Sequence, residues 1–238
     1  MAAPALAPIT RQVSGRTATV PVPSCPAAAA LVPSGSARGQ PLADAVAELP
    51  VLDSSGRRVP FGELFRERRA VVVFVRHFLC YTCKEYVEDL AKIPKSFLQE
   101  ADVTLIVIGQ SSYHHIEPFC KLTGYCHEIY VDPEREIYKR LGMKRGEEVT
   151  SSGPSPHIKS NILSGSIWSL WRAVTGPLFD FQGDPVQQGG TLVLGPGHYI
   201  HFIHRDRNRL DHKPINSVLQ LVGVQQVDFT GRPSVIHV

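Results

Sequence analysis

Two unbroken apolar runs constrain this chain most. Val71, Val72, Val73, Phe74 and Val75 form the first, and Val103, Thr104, Leu105, Ile106, Val107 and Ile108 form the second. A strand with one face in water alternates apolar and polar residues. A strand that is apolar throughout has both faces covered and belongs in the middle of a sheet flanked by helices. Between the runs, residues 84–99 place Val87, Leu90, Ala91 and Phe97 on one helical side, with Pro94 expected to kink that helix. Strand, helix, strand in that order is a parallel crossover unit.

The alternation continues. Residues 115–122 read as a helix stopped at Gly124, and residues 128–131 as a short strand. Asp132-Pro133 then opens a helix over 134–141, closed by Gly142. Residues 191–194 and 199–204 flank Gly195-Pro196-Gly197, a hairpin signal, and a last helix covers 215–222. Upstream, order begins near residues 45–52, Asp53-Ser54-Ser55-Gly56 is a turn, and residues 59–65 lead into a short helix. Residues 144–162 read as a polar loop. Residues 164–175, with Ile167, Leu170, Trp171 and Val174 at helical spacing, read as an amphipathic helix whose Trp168 and Trp171 pack on the sheet. The expected fold class is α/β and thioredoxin-like, with a central mixed sheet between helices, parallel strands first and the hairpin as an antiparallel edge.

The domain is expected to span 41–225. Residues 1–40, rich in Ala, Pro and Ser without apolar periodicity, read as a disordered arm, and 226–238 as a tail. The arm lacks the basic start and apolar stretch of a secretory signal. Arg11, Arg16 and Arg38 without an acid before Asp44 resemble a mitochondrial import peptide, which the repeated prolines oppose. The cytoplasm, with the nucleus open to it, is the expected compartment. A net charge of +3 and a pI near 8.6 are too mild to argue for nucleic acid, and no apolar run reaches the length that spans a bilayer.

Five cysteines, Cys25, Cys80, Cys83, Cys120 and Cys126, are too sparse for a disulfide-stapled secreted scaffold. Cys80-Tyr81-Thr82-Cys83 follows the first central strand and opens a helix. There the helix dipole favours a thiolate, the nucleophile of disulfide exchange, and the spacing lets the second sulfur close on the first. Two other readings stay open: His77, Cys80 and Cys83 as zinc ligands with Cys120 or Cys126 as a fourth, and packed, inert cysteines. No cofactor or metal is expected on the redox reading. Arg76 is either a thiolate stabiliser or a strand-end arginine in solvent, and His77 a proton shuttle or a structural histidine. Cys120 and Cys126 are resolving thiols or small buried hydrophobes. Cys25 has no expected role. His114 and His115 are assigned to the surface, as is the turn carrying Arg205, Arg207, Arg209 and Lys213.

Phe74 through Lys84, residues 132–142, Gln187-Gln188-Gly189-Gly190-Thr191, His204-Arg205 and Asp211-His212 together resemble the AhpC/TSA-type peroxiredoxin-like 2 family, over roughly residues 41–224. The resemblance implies a thioredoxin fold and an antioxidant or redox role carried by Cys83, Cys80 and Arg76. The chain departs from a typical peroxiredoxin, which carries Pro-x-x-x-Thr-x-x-Cys. Aligning that cysteine with Cys83 puts Cys80 at the threonine and Arg76 at the proline. Gly190 stands where thioredoxins carry a cis-proline facing the pair. Two functions follow. One is a thiol-dependent peroxidase or disulfide reductase served by a thioredoxin- or glutathione-like reducing system. The other is a non-catalytic redox regulator acting through signalling or metabolic partners.

Overall fold

A computed structural model describes residues 39–148, 156–157 and 183–229. These contain β1 (Gln40–Pro41), α1 (Asp44–Ala47), β2 (Pro50–Leu52), β3 (Arg58–Pro60), a 3-10 turn (Phe61–Phe65) and β4 (Arg69–Phe74). Next come α2 (Tyr81–Leu90), α3 (Lys95–Glu100), β5 (Val103–Gly109), a 3-10 turn (Tyr113–His115), α4 (Ile116–Thr123), β6 (Glu128–Val131) and α5 (Glu136–Arg140). After residue 183 follow β7 (Gly190–Leu194), β8 (Tyr199–Arg205) and α6 (Ile215–Leu221).

One mixed sheet takes the order β1-β8-β7-β4-β5-β6-β2-β3. β4 runs parallel to β5, and β5 to β6, while β7 is antiparallel to β4. The apolar runs therefore lie at the centre, and the pleat divides their side chains between two cores. Val71, Val73 and Val75 face the core built with Cys83, Tyr86, Val87, Leu90, Phe119 and Val218. Ala70, Val72 and Phe74 face the other core, with Phe61, Phe65, Ile137 and Tyr138.

The segment expected to be one kinked helix is two helices. Pro94, extended at φ −64° and ψ 138°, caps α3. Proline lacks the N–H the helix would need and biases the residue before it away from helical geometry. α4 ends at Gly124 with φ +70°, the left-handed cap the sequence signals. α5 starts later than Asp132-Pro133 suggests. Asp132 accepts the N–H groups of Glu136 (3.3 Å) and Ile137 (2.9 Å), while Arg135 turns through φ +58° before the helix begins.

The hairpin is not the sheet edge. β1 pairs with β8, and β2–β3 form a second hairpin beyond β6. That hairpin closes through Asp53, whose Oδ1 accepts the N–H groups of Ser55 (2.9 Å) and Arg57 (3.0 Å). The expected arm (except residues 39–40), most of the loop over 144–162, the helix over 164–175 with both tryptophans, most of the tail and Cys25 lie outside the described residues. No helix among the described residues is long and apolar enough to cross a membrane.

Candidate active site

The cysteine pair stands where β4 gives way to α2. Beyond β4, the N–H of Val75 donates to Ile108 O at 2.9 Å, carrying the ladder one residue further. The chain then turns, with Cys80 N–H donating to His77 O at 3.0 Å, and Phe78 stacks on Phe119 at a centroid separation of 4.3 Å. Cys80 is the N-cap of α2, extended at φ −76° and ψ 115°, and its carbonyl accepts the N–H of Lys84 at 2.9 Å. Cys83 lies in the first turn and points into the core, fully buried, while Cys80 is 5% exposed.

The two thiols have opposite electrostatics. Cys80 is held well below the usual thiol range. The Cys83 thiol donates to it, and Arg76, His77 and the Thr82 hydroxyl add to that, together outweighing burial. Arg76 Nη1 lies 3.7 Å and Thr82 Oγ1 3.0 Å from Cys80 Sγ. Cys83 is pushed well above the usual range by burial and by the sulfur charge beside it. The sequence anticipated a thiolate stabilised by the helix end. In the structure Cys80 makes no capping bond to the helix backbone, and side chains do most of the stabilising.

Arg76 is buried at 6% exposure, so the solvent-exposed reading of it is wrong. Its guanidinium donates to the carbonyls of Gln187 (Nε, 3.3 Å) and Pro185 (Nη2), and Glu147 Oε1 lies 3.9 Å from Nη2. Buried Gln110 fixes both walls of this cradle. Its Nε2 donates to the carbonyls of Arg76 and Asp184, and its Oε1 accepts Asp184 N–H at 2.9 Å. The chain then passes Gly189, where a Cβ would come within 2.0 Å of Phe74 O, so only glycine allows this close approach beside β4.

Gly190 opens β7 and pairs with Phe74, at the strand end nearest the cysteines. The one cis peptide among the described residues, Gly195-Pro196, lies at the other end of β7. Burial lowers His77 below the usual imidazole range, against the opposing pull of Cys80. Cys120 is partly buried, and Cys126 is exposed, so the buried reading fails for Cys126. Among the described residues, no group of three or more His, Cys, Asp or Glu side chains is placed to hold a metal ion. Of the basic turn, Arg207 pairs with Asp211, and Arg209 with Glu147 at the edge of the Arg76 cradle. Sequence reasoning missed Thr82, Gln110 and the buried Asp206–His212 pair. Thr82 carried a signal, since it lies inside the motif; Gln110 and Asp206–His212 are brought close only by folding.

Residues 89–208 match the profile of a family described as AhpC/TSA antioxidant enzyme. The match begins at Asp89, six residues beyond Cys83. Peroxiredoxin-like 2C of Bos taurus is 83% identical over 238 residues, with 100% of both chains covered. The Homo sapiens protein of the same name is 82% identical, again over 100% of both. The chain belongs to the AhpC/TSA family, in its peroxiredoxin-like 2 branch. Among solved structures, peroxidoxin BcpB from Mycobacterium tuberculosis superposes with a TM-score of 0.51 at 11% identity, covering 78% of this chain and 94% of that one. At that identity the likeness speaks for the peroxiredoxin-type thioredoxin fold alone. In this peroxiredoxin-like 2 protein the cysteine pair at the junction of β4 and α2 lies upstream of the matched residues.

Proposed function

We propose that this protein is a thiol-dependent reductase of peroxide or disulfide substrates in which Cys80 attacks and Cys83 resolves. One observation carries the reading: Cys80 Sγ lies 3.7 Å from the Arg76 guanidinium and 3.0 Å from the Thr82 hydroxyl, which favour its thiolate, while Cys83 is fully buried, which favours its thiol. A dithiol polarised this way has an attacking sulfur and a reserve. This order reverses the one implied by aligning the peroxidatic cysteine with Cys83. It also supplies the hydroxyl that alignment removes, because Thr82 Oγ1 is 3.0 Å from Cys80 Sγ.

With a peroxide, the Cys80 thiolate takes the terminal oxygen, the O–O bond breaks, and the alkoxide leaves as alcohol after protonation. Cys80 is then a sulfenic acid. Cys83 attacks that sulfur, water departs, and a disulfide closes. An external thiol system, one thioredoxin-type dithiol or two glutathione-type thiols, returns two electrons, which suits a reducing compartment such as the cytoplasm. Membership of an antioxidant family supports redox chemistry, and the polarised pair favours turnover over a purely regulatory role.

The test is a stopped-flow peroxide reaction of the reduced protein, with thiols counted afterwards. Wild type should lose two thiols to one intramolecular disulfide. Cys83→Ser should react once and stop as a sulfenic acid trapped by dimedone, and Cys80→Ser should not react. A Cys80→Ser protein that reacts at the wild-type rate would refute the assignment.

A further inference from the structure

Beneath α2 lies a buried ion pair that the chemistry above does not use. His212 and Asp206 are 6% and 2% exposed, and His212 Nδ1 is 2.9 Å from Asp206 Oδ2. A carboxylate only accepts, so the proton of that bond resides on Nδ1. Nε2 is buried and has no hydrogen-bond partner among the described residues. Leaving such an atom bare costs on the order of 1–3 kcal/mol, so its retention asks for a reason.

Position supplies one. The His212 ring packs against Tyr86 at a centroid distance of 4.8 Å, and Tyr86 follows Cys83 by one helical turn on α2. Asp206 is tied back to the strand end beside the pair, its N–H donating to Gly189 O at 3.1 Å. The groups acting on His212 are Asp206, whose other oxygen lies 3.4 Å from His204, the Tyr86 ring packed against it, and, through space, the charges of Cys80 and Arg76. Tyr86 stays protonated and donates to Lys213 O, so it offers no charge. Although burial alone would lower it, His212 is raised above the usual imidazole range, by Asp206 first and then by Cys80, with Arg76 opposing.

We propose that Asp206–His212 is the proton partner of the Cys80–Cys83 pair: His212 is imidazolium while Cys80 is a thiolate, and it surrenders that proton when the pair closes to a disulfide. This rests on the reductase reading and adds where its protons travel. With a disulfide substrate, Cys80 S⁻ bonds one sulfur, the substrate S–S bond breaks, and the leaving thiolate takes a proton from solvent, to which His212 releases its own once Cys80 carries no charge. Cys83 then loses its proton to solvent, attacks Cys80 Sγ, and expels the second thiolate, which takes that proton up. The dithiol is oxidised by two electrons, the substrate is reduced by two, and both departing sulfurs leave as thiols. His212 ends neutral, with no thiolate left to balance it.

The experiment is an NMR titration of the His212 ring in the full chain, assigned by comparison with His212→Gln, in three forms: reduced, disulfide and reduced Cys80→Ser. In the reduced wild type the midpoint should lie about one pH unit above that of the other two, the low end of the effect of a nearby opposite charge. Equal midpoints in reduced wild type and reduced Cys80→Ser would overturn the proposal, whether or not a disulfide can form. Should His212→Gln not fold, the moving resonance is assigned to His212 or to another histidine by through-bond correlation of its ring to the backbone in the wild-type chain. If His77 moves instead of His212, the proton partner is His77 and the proposal is also lost. Failure of the reductase reading shows separately, as two free thiols after oxidation.

Discussion

Arg76→Met removes the one guanidinium held against Cys80 while keeping an unbranched apolar stem. At 3.7 Å, with both side chains almost wholly buried, the attraction between guanidinium and thiolate is about 4 kcal/mol at an effective dielectric near 20. Glu147, 3.9 Å from the other side of the guanidinium, draws off part of that field. If a third of the attraction survives as net preference for the thiolate, the thiolate-to-thiol ratio falls about tenfold on substitution. Alkylation of the reduced protein by iodoacetamide, followed against pH and mapped to Cys80 by mass spectrometry, reads that ratio. The variant's alkylation profile should shift by about one pH unit to higher pH, so that it alkylates about tenfold more slowly below the wild-type midpoint and catches up above it. It also strips a donor from the carbonyls of Gln187 and Pro185, so its fold is checked by its unfolding curve. Arg76→Lys keeps the charge but not the planar fork, and should recover part of the rate at a further cost in stability. A folded Arg76→Met that alkylates at the wild-type rate across the whole pH range would refute the reasoning and leave the Cys83 thiol as the stabiliser.

Two further outcomes test the frame of the site. Tyr138→Phe keeps the ring packed on Phe74 but removes the hydroxyl that donates to Val75 O (2.7 Å) and Ile108 O (2.8 Å). Ile108 O retains the N–H of Val75, so the loss should be about 1–2 kcal/mol, read in urea denaturation as a lower midpoint with an unchanged slope. An unaltered midpoint would mean that Val75 O finds water. Asp132 is raised to about 6 chiefly by burial, against the N–H groups it accepts. A carboxyl with a folded value above its unfolded one contributes stability that is complete below about 4 and lost as pH rises through about 6. Unfolding free energy should therefore fall over that window in wild type relative to Asp132→Asn, and parallel curves for the two proteins would contradict it.

What the sequence revealed and what it hid divide along the length of the interactions. The central strands were legible because an unbroken apolar run can be satisfied only between two cores, which the alternation of Val71, Val73 and Val75 against Val72 and Phe74 provides. The Gly124 cap was legible because it rests on one residue's backbone, whereas Pro94 signalled a kink and the structure makes a full break there. β1, with two residues, and β2 and β3, with three each, are too short to show a period, and β1 and β2 join the sheet through partners far along the chain.

The same division runs through the site. Spacing announced the pair, but not which sulfur would carry the charge. Arg76 next to a strand end reads equally well as solvent-facing or buried, and what decides is a pair of carbonyls at 185 and 187, more than a hundred positions away. Those carbonyls are within reach because Gly189 lets the segment lie against Phe74 O and because Gln110 joins both sides. The motif thus supplies two sulfurs and a hydroxyl, with Cys83 the first stabiliser of Cys80, and the segment before β7 holds the guanidinium that adds to it. A substitution at Gly189 or Gln110, neither of which is a thiol or a charge, should therefore disturb thiol reactivity by releasing Arg76.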